Sequence, residues 1–137
     1  DSGIPVMGHL GLTPQSIHQL GGNKVQAKTK DMAERLLIEA LAVEKAGAFA
    51  LVLECVPSQV AELVSQKLSI PTIGIGAGPK TDGQVLVWHD FLGLQNEFSP
   101  KFLKRYFNAE ERFIGALNRY STEVVDEAFP DLEHHCY

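Results

Sequence analysis

Apolar positions follow two patterns along the chain: short unbroken runs, and longer stripes at helical spacing. The clearest run is Ala48 to Pro57, Ala-Phe-Ala-Leu-Val-Leu-Glu-Cys-Val-Pro, in which six apolar residues lead into one carboxylate, Glu54. Gly47 precedes the run and Pro57 closes it. Short length and Leu/Val content predict a parallel strand buried on both faces. Three more short runs read as strands: Ile4 to His9, Thr72 to Gly76, and Gln84 to Trp88, the last ending in His89-Asp90.

Between these runs the spacing changes to that of helices. Thr13-Pro14 predicts a short helix, with a hydroxyl N-cap and proline at the first helical position, ended by Gly21-Gly22. Residues 23–30 are a polar loop. Asp31 and Glu34 form a capping-box pattern opening the clearest helix. Its apolar face is Met32, Leu36, Ala40, Val43 and Gly47, widened by Leu37 and Leu41, and Gly47 stops it. Ser58 is read as the N-cap of a helix to Leu68 with Val60, Ala61, Val64 and Leu68 inward. Residues 91–98 read as loop, and Ser99-Pro100 predicts another helix start. Asn108 and Glu111 form a second capping box, opening a helix to about Ala128 with the stripe Phe113, Leu117, Tyr120, Val124 and Ala128.

Helices alternating with buried strands imply an α/β fold with a parallel sheet. Only residues 77–83 separate the third and fourth strands, whereas a parallel crossover needs about a dozen residues. A single helical turn near Thr81-Asp82 is the most expected there. Four strands make half of an eight-stranded barrel, or a small open sheet.

Composition narrows the function classes. The 137 residues, 45% apolar and 21% charged, suit one globular domain. A net charge of −5 without a Lys/Arg-rich run argues against a nucleic-acid partner. No apolar stretch approaches the ~18 residues of a membrane span. The opening Asp-Ser-Gly-Ile-Pro has no secretory pattern and no initiator Met, which suggests a processed or cut chain. Cys55 and Cys136 lie far apart, and free thiols in a reducing compartment are the simpler reading.

Several groups could carry chemistry. A carboxylate at the C-terminal end of a buried strand, as Glu54 is, sits where α/β folds keep their active sites, although it could equally cap or salt-bridge the next element. His9, flanked by Gly8 and Gly11, could bind a carboxylate or carbonyl, ligate a metal, or hydrogen-bond the backbone. Gly74-Ile75-Gly76-Ala77-Gly78 is spaced GxGxG, not GxGxxG, and points to tight packing at a rim near substrate rather than to a dinucleotide. His89-Asp90 reads as structural. His134-His135, beside Glu133 and Cys136, reads as a solvated tail. Phe98, Phe102, Tyr106, Phe107 and Phe113 read as helix-face packing or a subunit contact. The chain has no Gly-x-Ser-x-Gly, CxxC or HExxH pattern.

Five ordered motifs resemble ketopantoate hydroxymethyltransferases: Gly-His-Leu-Gly-Leu-Thr-Pro-Gln-Ser (8–16), Leu-Val-Leu-Glu-Cys-Val-Pro (51–57), Ile-Pro-Thr-Ile-Gly-Ile-Gly-Ala-Gly (70–78), Thr-Asp-Gly-Gln-Val-Leu-Val-Trp-His-Asp (81–90) and Pro-Lys-Phe (100–102). The likeness covers nearly the whole chain. It implies a (β/α)8 TIM barrel, with residues 1–137 as its C-terminal half: strands five to eight, then C-terminal helices at about 99–128. It implies hydroxymethyl transfer from 5,10-methylenetetrahydrofolate to 3-methyl-2-oxobutanoate (α-ketoisovalerate), giving ketopantoate for pantothenate biosynthesis through a Mg2+-stabilised enolate. Glu54 matches the family's general base and His9 a residue that contacts the keto acid. The family's metal ligands and substrate lysine belong to strands one to four, so no metal ligand is expected in this chain. A homo-oligomer, commonly a decamer, is implied, in the cytoplasm or, in a eukaryote, the mitochondrion.

Half a barrel exposes strand edges, so the N-terminal half of the same barrel is the expected partner, and a stable isolated 15.0 kDa monomer would contradict this. Two rival readings stand beside it. One is a Mg2+-dependent enolising barrel of the phosphoenolpyruvate mutase or isocitrate lyase type, which needs no folate. The other is a non-catalytic assembly fragment.

Overall fold

The computed structural model describes residues 3–19, 22–97 and 99–137. Gly21 as a helix stop and Phe98 in the aromatic group lie outside the described residues. The chain divides into two compact units, Asp1–Leu86 and Val87–Tyr137.

The first unit holds four strands, β1 (Met7–Gly11), β2 (Ala50–Glu54), β3 (Thr72–Ile75) and β4 (Gly83–Gln84), and two helices, α1 (Lys30–Lys45) and α2 (Ser58–Lys67). The strands pair in the order β1-β2-β3-β4, all parallel. This is the architecture expected of part of a TIM barrel. β1 starts three residues later than the sequence pattern suggests, beyond Pro5, whose missing N–H cannot join a ladder. Between β3 and β4 there are bends and no helical turn.

Register sorts the sheet into two faces. Gly8, Leu51 and Thr72 stand side by side, as do Leu10, Leu53 and Gly74. On this face Leu51, Leu53 and Thr72 are fully buried, packed with Leu36 and Ala40 of α1 and Ala61 and Val64 of α2. Burying such a Leu contributes roughly 1.5–3 kcal/mol. His9 aligns with Val52 and Ile73 on the opposite face, and Gly11 with Glu54 and Ile75. There His9, Val52, Glu54, Ile73 and Ile75 are only half-buried. The expectation that β2 is covered on both faces is therefore corrected: within this chain the helix-side residues alone pack into the core.

Helix ends show which polar side chains win the orphan N–H groups. The cap of α1 is Thr29, whose hydroxyl accepts from the Met32 N–H, while Asp31 sits in the first turn where its charge suits the dipole. The expected Asp31–Glu34 box is displaced by two residues, because the hydroxyl of Thr29 already reaches the third amide. Leu36 and Ala40 are buried as the stripe predicts, but Met32 and Leu41 at its margins are exposed. At α2, Pro57 occupies the cap position and Ser58 is the first helical residue. Ala61 and Val64 point inward as expected. Thr13 makes no side-chain cap, and only a 3-10 turn, Pro14–Ser16, follows it.

The second unit holds α3 (Trp88–Phe91) and α4 (Ala109–Val125), the latter the helix expected after Asn108. Trp88, His89 and Asp90 form one helical turn rather than a strand end. Ser99-Pro100 opens no helix; the Leu103 N–H donates to the Pro100 carbonyl in an isolated turn. Half of the Asn108–Glu111 box is present, the Glu111 N–H donating to Asn108 Oδ1 (3.4 Å), while the second contact is side chain to side chain, Asn108 Nδ2 donating to Glu111 Oε2 (2.8 Å). α4 ends at Val125, and its stripe residues Phe113, Leu117, Tyr120 and Val124 are exposed.

Candidate active site

His9 and Glu54 come from different strands, yet they meet. β1 and β2 run in the same direction, and their register puts both side chains on the face that the helices leave open. His9 Nε2 lies 3.0 Å from Glu54 Oε2, with the side chains 33% and 20% exposed. The approach is close enough for an ion pair but lies off the direction of a ring N–H. His9 Nε2 is thus buried without a hydrogen bond. A buried polar atom left open costs stability, and a ligand group that satisfies it recovers that cost.

Main-chain geometry fixes the rim around this pair. Gly11 ends β1 with φ +93°, and a Cβ there would collide with the Glu54 carbonyl oxygen. Cys55, immediately after Glu54, is left-handed at φ +51°. Burial, and secondarily the negative charge of Glu54, raise the Cys55 thiol above its ordinary pKa, so it is held protonated and is a poor nucleophile. Cys55 and Cys136 are both free thiols, as the sequence suggested.

The glycine run after β3 behaves as packing, in line with its spacing. Gly78, at φ +79°, lies so close to Ser58 at the start of α2 that a Cβ would clash. Gln84 Nε2 donates to the Gly78 carbonyl (2.9 Å) and to Thr81 Oγ1 (2.8 Å), tying this loop to β4.

A cleft of about 460 Å³ runs beside β1, lined by His9, Gly11, Ser16, Gln26, Met32 and Arg35 among others. It touches His9 but not Glu54, and it lies along the unpaired edge of β1. Arg35 in it is engaged by Glu39 at 2.8 Å.

Among the described residues no group of three or more His, Cys, Asp or Glu is placed to hold a metal ion. His134 and His135 are exposed, and each presents Nδ1 to Asp131, at 3.1 and 2.5 Å. Those ion pairs were not anticipated from the sequence; Asp131 at three and four residues' distance is the signal that could have found them. Gly11 and Cys55 were also missed as site residues. Gly11 was visible as a glycine at a strand end, whereas nothing local marks Cys55 as left-handed.

The family profile described as Ketopantoate hydroxymethyltransferase matches residues 1–132. The chain belongs to this family. A relative from Legionella pneumophila strain Philadelphia 1 is 62% identical over 134 residues, covering 98% of this chain and 51% of the relative. One from Coxiella burnetii strain RSA 493 is 57% identical over 136 residues, covering 99% and 51%. Both are named 3-methyl-2-oxobutanoate hydroxymethyltransferase, a one-carbon transferase. The chain spans about half the length of the curated relatives it matches. Among the described residues no helix is long and apolar enough to cross a membrane.

Proposed function

We propose that this chain is the C-terminal half of a ketopantoate hydroxymethyltransferase barrel, supplying strands five to eight, and that Glu54 is the base that enolises 3-methyl-2-oxobutanoate. The observation that carries the reading is the meeting of His9, in the middle of β1, with Glu54, the last residue of β2, on the sheet face that the helices leave open, His9 Nε2 lying 3.0 Å from Glu54 Oε2. The C3 proton of the keto acid is weakly acidic. Its removal needs a base within hydrogen-bond reach. Glu54 takes that proton, and the C3–H electrons move onto the C2 carbonyl as an enolate. His9, beside Glu54, contacts the keto acid. Water cleaves both C–N bonds of the one-carbon bridge of 5,10-methylenetetrahydrofolate, releasing tetrahydrofolate and formaldehyde, and the enolate carbon adds to that formaldehyde, whose oxygen takes a proton to complete the hydroxymethyl group.

The family resemblance brings Mg2+ with it. The described residues supply one oxygen-donor side chain at the pair and no ligand cluster, which does not fit a Mg2+ site built from this chain alone. The ion's ligands are assigned to the upstream half, and no step above is routed through it. The same upstream half is the partner proposed for the open sheet face and the free edge of β1. A homo-oligomer contact is the use proposed for the exposed stripe of α4. A cytoplasmic location goes with this reading.

The test is proton NMR of the keto acid in D2O with the full-length protein, without folate. Exchange at C3 is expected to fall roughly 100- to 10,000-fold in Glu54→Gln with the fold retained by circular dichroism. Undiminished exchange in that variant removes Glu54 from the mechanism. Product formation that does not need the folate would instead favour an enolising enzyme of another kind.

A further inference from the structure

We propose that Gly11 and Cys55 are positioning residues, which act through the main chain to set where the Glu54 carboxylate stands; this rests on the reading of Glu54 as the base. Glu54 is the last residue of β2, where a free strand end would leave its side chain loosely aimed. Three segments prevent that. The Leu12 N–H donates to the Glu54 carbonyl (2.9 Å), the Cys55 N–H to the Ile75 carbonyl (2.9 Å), and the Gln26 N–H to the Cys55 carbonyl (2.8 Å). The peptide units on both sides of Cys55 are therefore held from β1, β3 and the loop before α1.

Each positioning residue has a definite job. Gly11 lets the end of β1 close onto the Glu54 carbonyl, since any Cβ there would strike that oxygen and would lie 3.0 Å from Val56 Cγ1. Cys55 interrupts the alternation of the strand. With strict alternation Val56 would follow Glu54 onto the open face. The left-handed residue instead turns Val56 into the helix-side core, where it is buried. Glu54 is left as the last inward side chain of its strand, beside His9. Non-glycine residues in this backbone region carry strain that neighbouring structure must hold in place, and such positions cluster at functional sites.

The requirement at position 55 is then a backbone angle and not a thiol. Steady-state C3-proton exchange by the full-length protein tests it, with rates referred to the folded fraction from circular dichroism. Gly11→Ala and Cys55→Val are expected to lower kcat about tenfold or more with KM changed by less than about threefold. Cys55→Gly, which accepts the left-handed angle freely, is expected to recover at least about fivefold over Cys55→Val. A purely structural role would lower only the melting temperature, with kcat per folded molecule unchanged in Gly11→Ala and Cys55→Val; that result, or Cys55→Gly no better than Cys55→Val, overturns the proposal. Should Gly11→Ala not fold, the two Cys55 variants decide. Glu54→Gln is run alongside. Wild-type exchange in Glu54→Gln sinks the reading of the base, whereas loss there with wild-type kcat in the other variants sinks the positioning alone.

Discussion

The two ends of the parallel sheet treat polar groups in opposite ways. At the N-terminal end, Thr72 is fully buried and fully engaged. Its N–H and hydroxyl both donate to Asp82 Oδ2, at 2.7 and 2.8 Å, and its Oγ1 lies 2.6 Å from Ser65 Oγ. Ser65 Oγ, which also lies 2.9 Å from the Ala61 carbonyl, has one proton to give to that carbonyl or to Thr72 Oγ1, and Glu44 Oε1 accepts the N–H groups of Ser69 and Ile70. At the C-terminal end, His9 Nε2 is buried without a hydrogen bond and Cys55 is held left-handed. One end spends its polar atoms on closing the fold. The other leaves them open at a cost, which is what a ligand site requires. In barrels of this kind the first end serves stability and the second chemistry.

The sharpest way to break that contrast is Thr72→Val. The substitution keeps the volume but removes a buried hydroxyl that joins α2, β3 and the segment before β4. It is expected to destabilise by about 2 kcal/mol, because Asp82 Oδ2 loses the hydroxyl bond and Ser65 Oγ keeps only the Ala61 carbonyl. The kcat of C3-proton exchange should not change. Chemical denaturation beside exchange kinetics checks both; a loss of exchange in folded Thr72→Val would mean that the two ends are coupled.

His9→Asn probes the opposite end and should give the opposite result. The imidazole is partly exposed and its one close polar partner is Glu54, so its removal should cost no more than about 1 kcal/mol. Affinity for the keto acid should fall about tenfold, or about 1.4 kcal/mol. Titration of the substrate with the full-length protein measures this, and unchanged affinity removes His9 from the binding site.

How much of this was legible depends on how local each cause is. α1, α2 and the Asn108–Glu111 cap follow from spacing and neighbours within a few residues, and they were readable. The errors came where two local signals competed. Thr29 caps the Met32 amide and starts the helix before Asp31 can, and Ser99-Pro100 opens no helix although Phe102, Leu103, Tyr106 and Phe107 follow at helical spacing, the Tyr106 N–H donating to the Phe91 carbonyl instead. The four-residue apolar stretch before His89 reads as a strand, yet only Gly83–Gln84 pairs with β3. Glu54 was visible as a strand-end residue, whereas His9, read as the end of its strand, lies in the middle of β1, which runs on to Gly11. Their meeting was not visible, because it depends on a register between strands separated by the whole of α1. Cys55 was invisible for a related reason: its backbone angle is imposed by Leu12, Gln26 and Ile75, none of them near it in sequence.

The smallest effect concerns acid. The Thr72 N–H and hydroxyl hold the Asp82 carboxyl below its ordinary pKa, with burial opposing weakly. A group whose folded pKa is depressed contributes stability above its unfolded pKa, and that contribution is lost as pH falls through the folded value. Stability from this contact should therefore be flat from neutrality down to about pH 4, near the ordinary aspartate pKa, and decline below it. Asp82 is exposed, so solvent screening keeps the contribution modest. Asp131 is shifted the same way by its contacts with His134, which means the acid limb of the whole protein does not isolate Asp82. The difference between wild type and Asp82→Asn does. Thermal unfolding across the acid range should show a gap that is constant above about pH 4 and closes below it. A gap that stays open in acid would mean that Asn at this position loses packing or geometry rather than charge, and the N-terminal end would then owe its stability to the Thr72–Ser65 hydroxyl pair alone.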